Sequence, residues 1–243
     1  MLSKFALSCF AGSLIACASP AGSPGPGGGG DDNPGPGPGG PDAPLATHLT
    51  VSGTAVEQGQ SGQTPLSGVA LAAYQTGLDT PIATATSDAQ GNYTFGVDAA
   101  MLDGYIKATK SGYTDTYIYP SAPWNKDSTV SASLLSSGTF GLLVTFAGGD
   151  SAKGVIIAII TDANGAPVTG AKVTSTPASG VYKYSDGTGA PTSTSGTPAD
   201  GTAFFLSVPL GQVAITASKS GATFKTHMVA AHSGALVTTT ITE

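Results

Sequence analysis

"ATSDAQGNYTF", Ala85 to Phe95, is the stretch on which the fold turns. Its Asp-Ala-Gln-Gly reads as a hairpin turn, with Gly91 at a position that needs positive φ. After it, Tyr93, Phe95 and Val97 alternate with small polar residues. A period of two puts these three side chains on one buried face of a strand. "SGTPADGTAFF", Ser195 to Phe205, repeats the plan with Gly201 in the turn and Ala203, Phe205 and Val208 facing inward. Working outward from this pair, "TPLSGVAL" (Thr64–Leu71) matches "APVTGAKV" (Ala166–Val173), and "KATKSGY" (Lys107–Tyr113) matches "TASKSGA" (Thr216–Ala222). Three blocks in the same order read as a duplicated domain, with a boundary near residue 137. Pro65 and Pro167 fix φ in turns that launch a strand, and Gly68 and Gly170 relieve the bend. Short alternating strands with such frequent turns predict an all-β chain of two antiparallel sandwiches.

Two departures from the repeat stand out. The second copy is longer between its turn glycines, and the added "GVYKYSDGTGAPTSTSG" (Gly180–Gly196) reads as a loop or an edge hairpin. Between the copies, "SSGTFGLLVTFAGG" (Ser136–Gly149) reads as a short helix capped by Ser137 and ended by Gly148, with a strand as the alternative. Phe140, Leu142, Leu143 and Phe146 would then seal the junction between the domains.

The order "PLSGV … TSDAQGNYTF … YIKATKSGYT" resembles the carboxypeptidase regulatory-like domain, a transthyretin-type seven-stranded sandwich. "APVTGAKV … TPADGTAFFLSVPLGQVAITASKSG" is similar to the same superfamily. The resemblance covers most of Leu49 to Ile241 and implies tandem transthyretin-like or Ig-like β-sandwiches. Its motifs are turns and core positions, so it implies little about chemistry.

The N-terminal part has a different character. Met1 to Ala16 carries Lys4 and then a short apolar run, too short to span a bilayer and arranged as a secretory signal. Leu14-Ile15-Ala16-Cys17 resembles the bacterial lipobox, which makes Cys17 the expected site of lipidation. Ala18, in place of Asp, points by analogy to the outer membrane. Residues 17–44 alternate glycine and proline without apolar periodicity, the composition of a disordered tether. A flexible coil of that length spans roughly 30 Å. The expected organisation is a signal peptide over 1–16, a lipidated tether over 17–44, a first sandwich over 45–137 and a second over 138–243. Residues 138–149 form the connecting segment of the second unit.

Composition removes several functions. The formal net charge is −6, and all nine basic residues are lysines, so nucleic acid is an unfit partner. Both cysteines lie in the leader or at its end, which leaves the globular part without disulfides or thiolate metal ligands. His48, His227 and His232 show no metal-ligand spacing and are expected at exposed strand or turn positions. Tyr182 and Tyr184 beside His227 invite comparison with iron dioxygenases of related shape, but the histidine spacing does not fit. No nucleophile elbow frames a serine. Asp88, Asp162 and Asp200 sit in turns, where carboxylates bond the backbone. No cofactor and no metal are expected, and the chain reads as non-catalytic.

One cluster invites a ligand. "GYTDTYIYPSAPWNKD" places Tyr117 and Tyr119 on one strand face and the lone tryptophan, Trp124, in the loop that follows. Together they could form a platform on which a sugar ring stacks. The leading reading is a lipid-anchored interaction module of the cell envelope, and the alternative is carbohydrate binding through these three residues. Expected partners are the membrane, through Cys17, and a polysaccharide or an envelope protein.

Overall fold

The computed structural model describes residues 48–59, 62–193 and 195–243. The signal peptide, Cys17 and the whole of the tether therefore lie outside the described residues. In chain order the first half holds β1 (Leu49–Gly59), β2 (Gly62–Pro65), β3 (Ala70–Gln75), β4 (Ala83–Thr86) and β5 (Asn92–Val97). It continues with β6 (Gly104–Thr109), β7 (Thr116–Ile118), β8 (Ser128–Thr129) and β9 (Ala132–Leu134). Helix α1 (Ser137–Ala147) follows. The second half holds β10 (Gly154–Thr161), β11 (Lys172–Thr176), β12 (Val181–Ser185) and β13 (Pro191–Thr192). It ends with β14 (Thr202–Val208), β15 (Gly211–Ser218), β16 (His227–Ala231) and β17 (Leu236–Thr242).

The turns that the sequence marks are the joints of the structure. Gly91 and Gly201 both have positive φ, 80° and 67°. A side chain at either would strike a strand carbonyl, 2.4 Å from that of Ala55 or 2.6 Å from that of Ile160. The same carbonyls accept from Leu66 and Val168, while Ala55 and Ile160 donate to the carbonyls of Gly91 and Gly201. A buried hydroxyl locks each joint. Ser87 Oγ accepts from Val69 N and donates to the Leu66 carbonyl. Thr197 Oγ1 accepts from Ala171 N and donates to the Val168 carbonyl. The two hydroxyls fall at matching positions of the aligned blocks.

Three sheets result. β1 carries β2 and β5 on its antiparallel side and β8 and β9 in parallel. β11, β15 and β16 form a second sheet. The third runs through nine strands in the order β13-β12-β14-β10-β17-β7-β6-β3-β4. It is one continuous sheet shared by both halves. The seam is a parallel pairing of β17 with β7, with Leu236 opposite Thr116, Val237 opposite Tyr117 and Thr238 opposite Ile118.

Alternation along these strands shows which layer covers which face. Ile118 belongs to the first core, with Leu71, Ile106, Phe95 and Val51. Val237 belongs to the second core, with Ile156, Phe205, Val213 and Val229, and Tyr117 packs against it. Ile118 and Val237 point to opposite faces of the shared sheet. The β1 layer therefore covers one face over the first half, and the β11-β15-β16 layer covers the other face over the second half.

The face left bare in the second half is closed by α1. Phe140, Leu143, Val144 and Ala147 pack on Val155, Ile157, Phe204, Leu206 and Leu236 in a third core. This is why β10 and β14 are buried on both faces, where alternation alone predicts one. The helix is capped by Ser136 rather than Ser137, because the Ser136 hydroxyl accepts from Thr139 N at 3.2 Å. It ends at Gly148, in the left-handed conformation expected of a C-terminal glycine. Leu142 and Phe146 do not seal a junction: they are 46% and 62% exposed, on the side of the helix away from the sheet. The inserted Gly180–Gly196 stretch forms an edge hairpin, β12 and β13, added to β14.

Candidate functional site: a tyrosine row and a cleft at the seam

In the first half the shared sheet has an open face, and tyrosines line it. Register places Tyr74 of β3 opposite Tyr105 of β6. Their rings stack with centroids 5.1 Å apart. Tyr105 also stacks on Tyr119, just past β7, at 5.1 Å, and lies 5.7 Å from Tyr117. Tyr117 in turn lies flat against His232, centroids 3.9 Å apart. Lys107 Nζ stands 5.3 Å from the Tyr117 ring centre and pairs with Asp115 at 2.9 Å. Burial opposes the Lys107 charge, but the Asp115 carboxylate and the Tyr117 hydroxyl outweigh it and raise its pKa.

These rings tie the two halves together. Burial pushes the Tyr119 phenol up to about 12, against a partial offset from the Ala230 N–H, which donates to its hydroxyl. That bond caps part of the outer edge of β16, the last strand of its sheet. His227 and His232 are half-buried rather than surface residues, and the Nε2 of each is buried without a hydrogen-bond partner. Burial lowers both histidines below their ordinary value, and the Lys107 charge lowers His232 further. Both are neutral near pH 7.

The expected platform of Tyr117, Tyr119 and Trp124 does not assemble. Trp124 is 8% exposed and belongs to the first core. Its backbone exchanges two hydrogen bonds with Leu102, at 2.8 and 3.0 Å, which pins the proline-bracketed loop to the sandwich. The ring faces of Tyr117 are covered by His232 and Lys107. Sequence reading missed Tyr74 and Tyr105, which lie far from the Tyr117 segment in the chain. Their signal was a tyrosine at the start of "GYIKAT" and another near the end of "ALAAYQ", paired only by strand register.

Beside the row lies a cleft of about 500 Å³. Tyr105 and Tyr119 line it, with Met228 and His227 from β16, and Leu78, Asp79 and Asp103 from two loops of the first half. A second cleft, about 410 Å³, lies beyond the Pro120–Pro123 loop and is lined in part by Trp124 and β8.

The remaining candidates are held in structural roles. Tyr182 Oη accepts from Ser175 N and Ser179 N, and Tyr184 Oη accepts from Val173 N, so both bind the β11 edge and its loop. Asp88 accepts from Gln90 N and Asn92 N, Asp162 from Asn164 N and Ala166 N, and Asp200 from Thr202 N. His48 pairs with Asp98 at 2.8 Å on the surface. Among the described residues, no group of three or more His, Cys, Asp or Glu side chains could hold a metal ion.

Fold and site thus define a β-sandwich protein in which two sandwiches share one sheet, with a tyrosine-lined cleft at their seam. No family model matches the chain, and no curated protein matches it. Among solved structures it is similar to the Bacillus anthracis TIE protein, at 12% identity over 80% of this chain and 33% of that one, with a TM-score of 0.28. It is similar also to the minor pilin GBS52 of Streptococcus agalactiae, at 11% identity over 79% and 94%, TM-score 0.27. A third is the 3-chlorocatechol 1,2-dioxygenase of Rhodococcus opacus 1CP, at 14% over 40% and 62%, TM-score 0.28. The chain spans a third of the TIE chain and less than two thirds of the dioxygenase. At these scores the likenesses add nothing to what the strands themselves establish.

Proposed function

We propose that the chain is a non-catalytic, lipid-anchored protein of the cell envelope that displays a rigid pair of fused interaction modules. Cys17 carries the anchor at the outer membrane, residues 17–44 are the tether, and the modules are tandem carboxypeptidase regulatory-like sandwiches over 45–137 and 138–243. The observation that carries the reading is the shared nine-stranded sheet, which makes the two sandwiches one stiff body with an open cleft at the seam. The matching Ser87 and Thr197 joints support the tandem origin. The turn-bound carboxylates support a role without catalysis, since each is occupied by backbone donors.

Anchoring is tested by expressing the full chain and its Cys17→Ala variant in a bacterial host with radiolabelled palmitate. The parent chain takes up label and pellets with the membrane, while the variant is unlabelled and stays in the soluble fraction. Equal labelling or equal pelleting of the two overturns the anchor. Carbohydrate binding is the second reading, moved from Trp124 to the first cleft. It is favoured there by Tyr105 and Tyr119 beside the carboxylates of Asp79 and Asp103.

A further inference from the structure

The two halves use equivalent strands differently. β7 lies at one end of the four strands that the first half contributes to the shared sheet, and it is covered by β17. β16 holds the corresponding place in the second half, next to β15 as β7 is next to β6, and no strand covers it. The first cleft opens along its outer edge.

Period-two alternation fixes which backbone groups face the cleft. Val173 N and Ser175 N donate to Tyr184 and Tyr182 rather than to β15, so Thr216 and Ala214 bond β11. Val213 and Ile215 then bond β16, and the Ala230 N–H, opposite Gln212, points outward. Met228, two residues earlier, therefore turns its N–H and carbonyl the same way. Its side chain is 52% exposed. Across the cleft stand Asp79 and Asp103, neither of which has an ion pair among the described residues. The cleft is lined by no lysine, and its two histidines are neutral near pH 7. Its charge is therefore negative. Leu78, 49% exposed, and the Tyr105 ring supply apolar surface beside the carboxylates.

We propose that the cleft takes an extended peptide segment bearing a basic side chain, added as a strand to the outer edge of β16 at Met228. Main-chain bonds to the edge hold the segment, and alternate side chains meet Leu78 and Tyr105 on one side and Asp79 and Asp103 on the other. The proposal rests on the interaction-module reading and names the class of partner. An unpaired edge without proline or charge at its centre is otherwise a liability that proteins cover.

The test uses the full chain in detergent micelles and a fluorescein-labelled peptide of alternating pattern, Thr-Val-Lys-Val-Thr-Val-Lys. A twin carries Glu in place of Lys. Met228→Pro removes the outward N–H together with the Met228 side chain, at a position where an edge strand tolerates proline. Met228→Ala, which loses the side chain but keeps the N–H, is the reference it is compared with, and an unchanged melt shows that the fold is kept. Anisotropy should show saturable binding of the lysine peptide, at least about tenfold weaker for the glutamate twin and for the Met228→Pro variant. The Asp79→Asn/Asp103→Asn double variant, which leaves the backbone edge intact, should weaken binding and flatten its salt dependence. Equal binding of both peptides, or binding untouched by Met228→Pro and by the double variant, overturns the proposal. So does the absence of saturable binding up to about 1 mM. Binding of chitohexaose that is lost with Tyr105→Ala overturns it in favour of a glycan. Each of these failures leaves the Cys17 experiment unaffected, so anchoring and ligand class fail separately.

Discussion

At the scale of single residues, two buried hydroxyls do for the turns what a longer hydrophobic strand would do for a sheet. Thr197 is 2% exposed and serves one backbone donor and one backbone acceptor. Thr197→Val keeps the shape and leaves Ala171 N–H and the Val168 carbonyl short of a partner. The expected loss is about 1–3 kcal/mol, read from urea unfolding. A change below the error of the midpoint would mean that water enters the joint. Trp124 belongs to the same scale. Trp124→Ala should cost about 3–5 kcal/mol and leave peptide binding at the first cleft unchanged, because the ring fills the first core. Tyrosine and proline around Trp124 give it the look of a recognition loop. What the local sequence hides is the pairing with Leu102, a contact made across the fold. Turn residues were legible because their chemistry is local. The aromatic row was not, since Tyr74, Tyr105 and Tyr119 meet only through register.

Among elements, α1 is the instructive case. Its sequence is apolar nearly all round, so periodicity cannot say which side is buried. Gly148 and the serines marked its ends to within one residue. The buried side follows from what the sheet lacks: a cover over Val155, Ile157, Phe204 and Leu206. Leu143→Ala should cost about 2–5 kcal/mol, while its neighbour Leu142→Ala should stay within about 0.5 kcal/mol. Thermal melts of the pair check this directly, and equal shifts would place both sides of the helix in contact. β10 and β14 carry the same lesson. "GVIIAII" and "TAFFL" are continuous apolar runs, the pattern of strands covered on both faces, and the second cover was the helix.

Taken whole, the molecule depends on its seam, and the seam holds two neutral histidines. His227 and His232 have lower pKa values folded than the ordinary 6.5 that they regain on unfolding. Below that value the unfolded chain binds more protons than the folded one, so stability falls with pH. It is fully present above about 6.5 and is lost progressively as the pH drops below it. The groups facing His232 are Tyr117, which stacks on it, and the Lys107 ammonium, which opposes a second positive charge. His227 meets only burial. Urea midpoints measured from pH 7.5 to 5 should decline for the parent chain and decline less for His232→Phe, which keeps a flat ring without a titrating nitrogen. Parallel curves would mean that His232 titrates with the same pKa in the folded and the unfolded chain. Two sandwiches were legible in the sequence, but their fusion was not. A parallel contact of three residue pairs, between strands far apart in the chain, leaves no periodic trace.

That seam also sets an order of events during synthesis. β17 follows every other described strand in chain order, yet it lies in the middle of the widest sheet, between β10 and β7. Until it emerges, β7 keeps a bare edge and Tyr117 has neither Val237 nor His232 beside it. The first sandwich must therefore wait, with an unguarded flank, until the second half has been synthesised.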